Sequence, residues 1–278
     1  MYEDFLAQPE KGDVGLGTVE VHIEANVALV VLSDAPARNA LSLSMWIRIT
    51  EVFDELTTTP DLRAVVIRGS GTAAFAAGAN IAEFPENRLT ASAATAYNDH
   101  LARALRTVAA IEVPTIAMIR GFAVGGGCEL SAACDLRIGS DTAQIGIPIG
   151  RLGVILGLAE TRLLTRHIGV NGLKRVLFSG RLFNAAESLQ IGLLDEVVPD
   201  AELAVHIAVL LETITRSSAV TITAAKVVTD LAGALDDDAA ADRVQRLHVQ
   251  AYDGDDLKEG VDAFLNKRRP VFANGGSL

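Results

Sequence analysis

The chain has 278 residues, 50% of them hydrophobic and 21% charged, a composition that suits one sizeable core and excludes a disordered protein. Its formal net charge of -11 disfavours nucleic acid or an anionic membrane as partner, but not an anionic ligand in a locally basic groove. Cys128 and Cys134 have neither zinc-site spacing nor a disulfide pattern, no secretory leader is legible, and no apolar run is long enough to span a bilayer, which together read as a cytoplasmic protein with reduced thiols.

Residues 1–17 are polar and contain glycine, and read as a flexible lead-in. Residues 18–33 alternate and then turn wholly apolar, which predicts two strands with a turn near Ala25 and Asn26. Asp34-Ala35-Pro36 is a turn. Ser44 is placed to cap a helix running to about Leu56, with Trp46, Ile49 and Phe53 at helical spacing. Residues 57–60 end it. Residues 64–69 read as a buried strand, followed by a loop of small residues from Gly71 to Asn80. A helix is expected over 97–110, a strand over 114–119, a helix over 129–134 and a strand over 136–139. Strands alternating with helices argue for an α/β core with parallel pairing. From Gly157 onward the pattern is mostly helical, with a short strand near 194–198 and apolar stripes ending at Phe264 and Leu265. Such stripes suit packing on the chain's own core or on another subunit.

Two loops stand out, residues 73–81 and 121–129, each following a strand. Small residues there let a ligand approach the backbone. A loop that enters a helix also presents free N–H groups and the positive end of the helix dipole. Two such loops side by side could aim two N–H groups at one oxygen, which is an oxyanion hole. The alternative is that the glycines only permit tight turns, and spacing leaves both open. No GxGxxG, GxxxxGK[ST] or GxSxG pattern occurs. His22, His100, His167, His206 and His248 are scattered and suggest no metal site.

The same loops resemble those of the crotonase (enoyl-CoA hydratase/isomerase) family. Ala76-Ala77-Gly78-Ala79-Asn80-Ile81 is similar to that family's A-G-A-D-[IL], and Gly121 to Glu129 to its G-x-[AC]-x-G-G-G-x-E. Arg38-Asn39-Ala40-Leu41, the T-x-x-L-x-R-x-x-G of Thr161 to Gly169, and the E-G-x-x-A-F-x-x-K-R-x-P of Glu259 to Pro270 follow in register. The resemblance implies a spiral of ββα units over 18–200 and a helical region over 201–278 that builds homotrimers or homohexamers (dimers of trimers). It implies that the N–H groups of Ala79 and Gly126 hold the oxygen of an acyl-CoA thioester, and that Glu129 is one of the two catalytic glutamates of the hydratases. Ala37, Arg38, Ala77 and Ile81 would line the path of substrate and CoA. Phe264 and Lys267 would reach the adenine or 3′-phosphate end from a neighbouring subunit. No cofactor and no metal are implied, because coenzyme A is part of the substrate.

The chain also departs from the family. Ile149 stands where the second hydratase glutamate would be, and an aliphatic side chain moves no proton. Ala159-Glu160 replaces a frequent Gly-Gly; Glu160 could supply the missing carboxylate, although a surface position is its default reading. Asn80 replaces an aspartate, and Ala82 a lysine that contacts CoA in many relatives. The expected activity is hydration or double-bond isomerisation of an enoyl-CoA with Glu129 as acid and base. A glutamate that only complements the dipole of its helix is the plainer alternative for Glu129. The tail over 252–270 also resembles methylmalonyl-CoA decarboxylases, so a malonyl-type CoA decarboxylase is a rival function. A non-catalytic acyl-CoA-binding protein is a second. Lys267-Arg268-Arg269 could pair with CoA phosphates or simply complement a helix end.

Overall fold

The computed structural model describes residues 2–7, 17–232 and 238–272. Two sheets share the core. The larger contains β1 (Thr18–Glu24), β2 (Val27–Ser33) and β3 (Ala64–Gly69). β4 (Ala74–Ala76), β5 (Thr115–Ile119), β6 (Phe122–Val124), β7 (Leu136–Ser140), β8 (Gln144–Gly146), β9 (Phe183–Asn184) and β10 (Glu196–Val198) then divide between the two sheets. The larger sheet has the order β1-β2-β3-β5-β7-β10 and the smaller β4-β6-β8-β9. β1 and β2 form an antiparallel hairpin, while β2, β3, β5, β7 and β10 run parallel. The hairpin turns at Ala25 (φ 45°) and Asn26 (φ 69°), as expected from the sequence.

The helices are α1 (Tyr2–Leu6), α2 (Leu43–Thr57), α3 (Phe84–Asn87), α4 (Ala91–Ala110), α5 (Gly126–Ala132), α6 (Leu158–Ser179), α7 (Ala185–Ile191), α8 (Leu203–Arg216), α9 (Ala219–Leu231), α10 (Asp238–Asp253) and α11 (Asp255–Leu265). The repeating unit is a long strand, a short strand and a helix: β3-β4-α4, β5-β6-α5, β7-β8-α6. This is the expected spiral of ββα units, and helices follow it at the C-terminal end. Among the described residues no single helix is long and apolar enough to cross a membrane; segments 200–216 and 219–231 pass only together, across a 107° bend.

The larger sheet is covered on both faces, which explains why β2 and β3 are apolar throughout rather than alternating. Val30, Leu32, Val65 and Ile67 face α2, α4 and the smaller sheet, packing with Trp46, Phe53, Phe75 and Leu105. Leu29, Val31, Val66 and Ile116 face the other way, against Leu203, Ile207 and Leu211 of α8. Several sequence expectations are corrected. Residues 2–6 are not a flexible lead-in: Tyr2, Phe5 and Leu6 are buried in this second cluster, and α1 packs on α8. The rest of that lead-in, residues 8–16, lies outside the described residues. α8 likewise belongs to the core of its own chain. Ser42, not Ser44, caps α2 by accepting from Met45 N–H at 3.1 Å. Thr90 caps α4 at its start, so the helix begins six residues before the expected 97. α5 begins at Gly126 rather than Glu129.

Asn39 closes the first turn of the spiral. It is 1% exposed, with φ 58°. Its amide donates to Ser70 O (3.0 Å) and Ala74 O (2.8 Å), and its Oδ1 accepts from Asp34 N–H (3.0 Å) and the Ser70 hydroxyl (2.7 Å). One side chain thereby ties segment 34–41 to the crossing from β3 to β4. An Asn39→Ala variant leaves those groups unpaired and puts a less tolerant residue in left-handed backbone. Its expected effect, read by thermal denaturation, is a loss of about 2–4 kcal/mol and a Tm lowered by roughly 5–10 °C.

Candidate active site

Residues 38–41 act as a strap on the loop that follows β4. Arg38 O accepts from Ala77 N–H (3.0 Å), Leu41 N–H donates to Gly78 O (2.7 Å), and Asn80 N–H donates to Leu41 O (2.9 Å). The residues around Ala79 are thus tied down, while Ala79 N–H has no acceptor among the described residues. Asn80 Oδ1 accepts from Ala82 N–H (3.1 Å) and starts the short turn Ile81–Glu83. The amide caps this turn as a carboxylate would, so the departure from aspartate leaves the loop intact. Glu83 Oε2 accepts from Leu43 N–H (2.9 Å), joining the loop to the first turn of α2.

The second loop meets the first at Gly125, Gly126 and Gly127. Gly125 (φ 50°) turns the chain from β6 into α5. Gly126 is the first residue of α5, where an N–H has no partner in its own helix and the dipole is positive. The approach is very close. A Cβ on Gly127 would lie 2.3 Å from Ala76 O; one on Gly126 would lie 2.9 Å from the Trp46 ring and 3.7 Å from Ala79 N. The glycines therefore do more than permit a turn, because any side chain would push the loops apart. Trp46 is held by its indole N–H, which donates to the Tyr97 hydroxyl at 3.1 Å. Two neighbouring N–H groups without acceptors can together hold one anionic oxygen.

They open on a cavity of about 210 Å³. Ala77, Ile81, Val124, Leu101, Ile149 and Leu156 line its apolar walls, and Glu129, Glu160, Arg88 and Asn98 are its polar groups. Glu129, in the first turn of α5, is 5% exposed. Burial, with the negative charge of Glu160 adding to it, pushes its carboxyl from the usual 4.5 to about 8, against the opposing pull of Arg88. Glu160 is 4% exposed, so the surface position expected for it is wrong. Its side chain is turned inward from the first turn of α6, and Oε2 is sealed from solvent without a hydrogen-bond partner among the described residues. Leaving such a group unpaired costs about 1–3 kcal/mol or more. Arg88 lies over the rings of Phe84 (4.9 Å) and Tyr97 (4.6 Å) and donates to Asn98 Oδ1 at 2.7 Å. Among the described residues no group of His, Cys, Asp and Glu could hold a metal.

The structure brings Ala77, Ala79, Ile81, Gly126 and Glu129 to one cavity. Ala37 and Arg38 are exposed on the outer side of the strap and do not line it; Arg38 lies 5.3 Å from the Phe122 ring centroid. Phe264, 82% exposed on α11, lines a separate hollow with Tyr252, Leu257 and Val261, and Lys267 is exposed just beyond the helix. Neither lies at the cavity of its own chain. Arg268 is already engaged by Glu259 and Asp262 (both 2.6 Å), which removes it from a free basic patch. Sequence reasoning did not find Arg88 and Asn98. Their one signal is position, since they follow the Ile81 loop in the chain.

A family model described as enoyl-CoA hydratase/isomerase matches residues 22–275. A protein of Mycobacterium tuberculosis bearing the name "Probable enoyl-CoA hydratase echA8" is 35% identical over 259 residues, covering 92% of this chain and 98% of its own. The crotonyl-CoA hydratase of Syntrophomonas wolfei is 32% identical over 249 residues, covering 90% and 95%. The crystal structure of an enoyl-CoA hydratase/carnithine racemase from Magnetospirillum magneticum superposes with a TM-score of 0.87 at 32% identity, covering 92% of this chain and 96% of its own.

The Glu129 carboxyl reports on the cavity through stability. Its pKa is raised in the folded state, so the fold binds more protons than the unfolded chain between pH 4.5 and about 8. Stability contributed at this position is therefore lost as pH rises through that window. A Glu129→Gln variant escapes the loss. Its Tm relative to the parent is expected to rise from pH 5 to about 8 and to level off above, as thermal denaturation at several pH values would read.

Proposed function

Because the chain belongs to the enoyl-CoA hydratase/isomerase family, we propose that it hydrates an enoyl-CoA or shifts its double bond, using Ala79 and Gly126 N–H as the oxyanion hole and Glu129 as acid and base. One observation carries the reading: the buried Glu129 carboxyl opens on the same cavity as two neighbouring N–H groups that have no acceptor among the described residues. A thioester activates its α-carbon because charge flows onto the carbonyl oxygen as an enolate. Two donors fixed by the fold stabilise that charge without reorganising, and losing one typically costs about 10²–10³ in rate. Glu129 is mostly neutral at neutral pH, given its pKa of about 8, and can deliver a proton to carbon or take one back. The acyl chain lies among Leu101, Ile149 and Leu156, and coenzyme A leaves past the strap at Ala37 and Arg38. We place the reaction in the cytoplasm, with no cofactor beyond the substrate's own coenzyme A.

Assembly into homotrimers or homohexamers is part of the same proposal. Phe264, Leu265 and Val261 are 82%, 72% and 50% exposed on α11, which supports packing of this helix on another copy. Phe264 and Lys267 would then reach the CoA of a neighbouring site. Sedimentation of the parent is expected to give a trimer or hexamer. A Phe264→Asp variant is expected to shift toward smaller species with a raised KM for enoyl-CoA.

The direct test follows the loss of enoyl-thioester absorbance with crotonyl-CoA and a longer enoyl-CoA. The parent turns over at least one of them, and Glu129→Gln lowers kcat by about 10²–10⁴ while CoA binding persists. A parent that ignores enoyl-CoA but decarboxylates a malonyl-type thioester, at a rate the Glu129→Gln variant matches, would replace this reading with decarboxylation.

A further inference from the structure

We propose that Glu160 supplies the second carboxyl of the site, so that this enzyme hydrates enoyl-CoA with a Glu129–Glu160 pair although Ile149 fills the family's usual second glutamate position. The proposal rests on the enoyl-CoA reading above and extends it to a residue outside the family pattern.

Glu160 is the third residue of α6, after the N-cap Gly157. A glutamate there ordinarily folds back to the N-cap N–H or faces water, where it complements the dipole. Glu160 curls back over Gly157 but makes no hydrogen bond to it and does not face water. It is 4% exposed, makes no side-chain hydrogen bond among the described residues, and lines the cavity that Glu129 lines. Gly157 makes room for it, since a Cβ there would lie 2.5 Å from Glu160 Oε2. A buried carboxyl with no partner is a poor packing device, and an apolar residue of similar size would serve better. Ile149 lines the same cavity, so Glu160 and the position where the family's glutamate is missing open on one space.

Two such groups can divide the proton transfers of hydration between them. Water's oxygen bonds C3 as the C2–C3 π pair moves toward the thioester and its oxygen takes the charge. One carboxylate accepts the proton that water loses. The other carboxyl gives its proton to C2 as the thioester carbonyl re-forms. The two groups have then exchanged states, and one proton passing back between them completes the cycle. Two carboxyls lining one cavity suit this exchange, because like charges disfavour ionising both. The raised pKa of Glu129, to which Glu160 contributes, agrees with it.

The test is a Glu160→Gln variant, with folding checked by its Tm. Expected is a loss of about 10²-fold or more in kcat for crotonyl-CoA hydration with little change in KM. The kcat/KM profile should lose one of its two limbs, which a purely structural residue would not cause. Gly157→Ala, whose φ of -75° suits alanine, is expected to displace the carboxyl and give a smaller loss in the same direction. The double variant Ile149→Glu with Glu160→Gln is expected to recover hydration above Glu160→Gln alone. If Glu160→Gln hydrates at the parent rate with the parent pH profile while Glu129→Gln is inactive, this inference falls and the enoyl-CoA reading stands. If the parent hydrates no enoyl-CoA, both fall.

Discussion

The site depends on how closely α5 can approach the loop over residues 76–79. Gly127 stands against Ala76 O and Gly126 against the Trp46 ring, at separations that leave no room for a methyl group. That approach makes neighbours of two N–H groups that are free for different reasons. Gly126 N–H is free because it opens a helix. Ala79 N–H is free because the strap hydrogen-bonds Ala77, Gly78 and Asn80 around it. Trp46, Tyr97 and Asn39 are best seen as supports for this meeting. Each is buried, and each joins elements that come from different turns of the spiral.

Much of this was legible in the residues. The strands were readable because a sheet covered on both faces needs continuous apolar runs, and the two loops because small residues cluster after them. The Arg38–Leu41 match was readable as a pattern, but its cause is backbone pairing with a loop far along the chain, which no local signal contains. The start of α5 was misplaced because two glycines are poor helix formers, and the contact with Ala76 overrides that propensity. α1 was missed because five residues carry no usable periodicity; its burial depends on α8, which arrives near the other end of the spiral. Glu160 was misread for a related reason. A glutamate in the first turn of a helix looks like a surface residue until α5 and the segment around Ile149 are folded over it.

The cavity also concentrates features that do not favour folding. Among the described residues Glu129 and Glu160 are buried without salt bridges, and Arg88 is held by ring faces and an amide rather than by a carboxylate. Polar groups left in this condition lower the stability of the fold and mark functional sites. The stabilising contacts lie elsewhere, in the two apolar clusters on either side of the larger sheet.

The strand order of that sheet, β1-β2-β3-β5-β7-β10, never doubles back. Each new turn adds its strand at the same growing edge, next to the one laid down before it. A chain emerging from the ribosome N-terminus first can therefore wind up one turn at a time, with no finished strand prised open to admit a later one. α1 is the exception, since its apolar face must wait for α8. The last act of assembling the core is then to join the two ends of the spiral, which makes α1 and α8 the clasp of the fold and the place where its opening would begin.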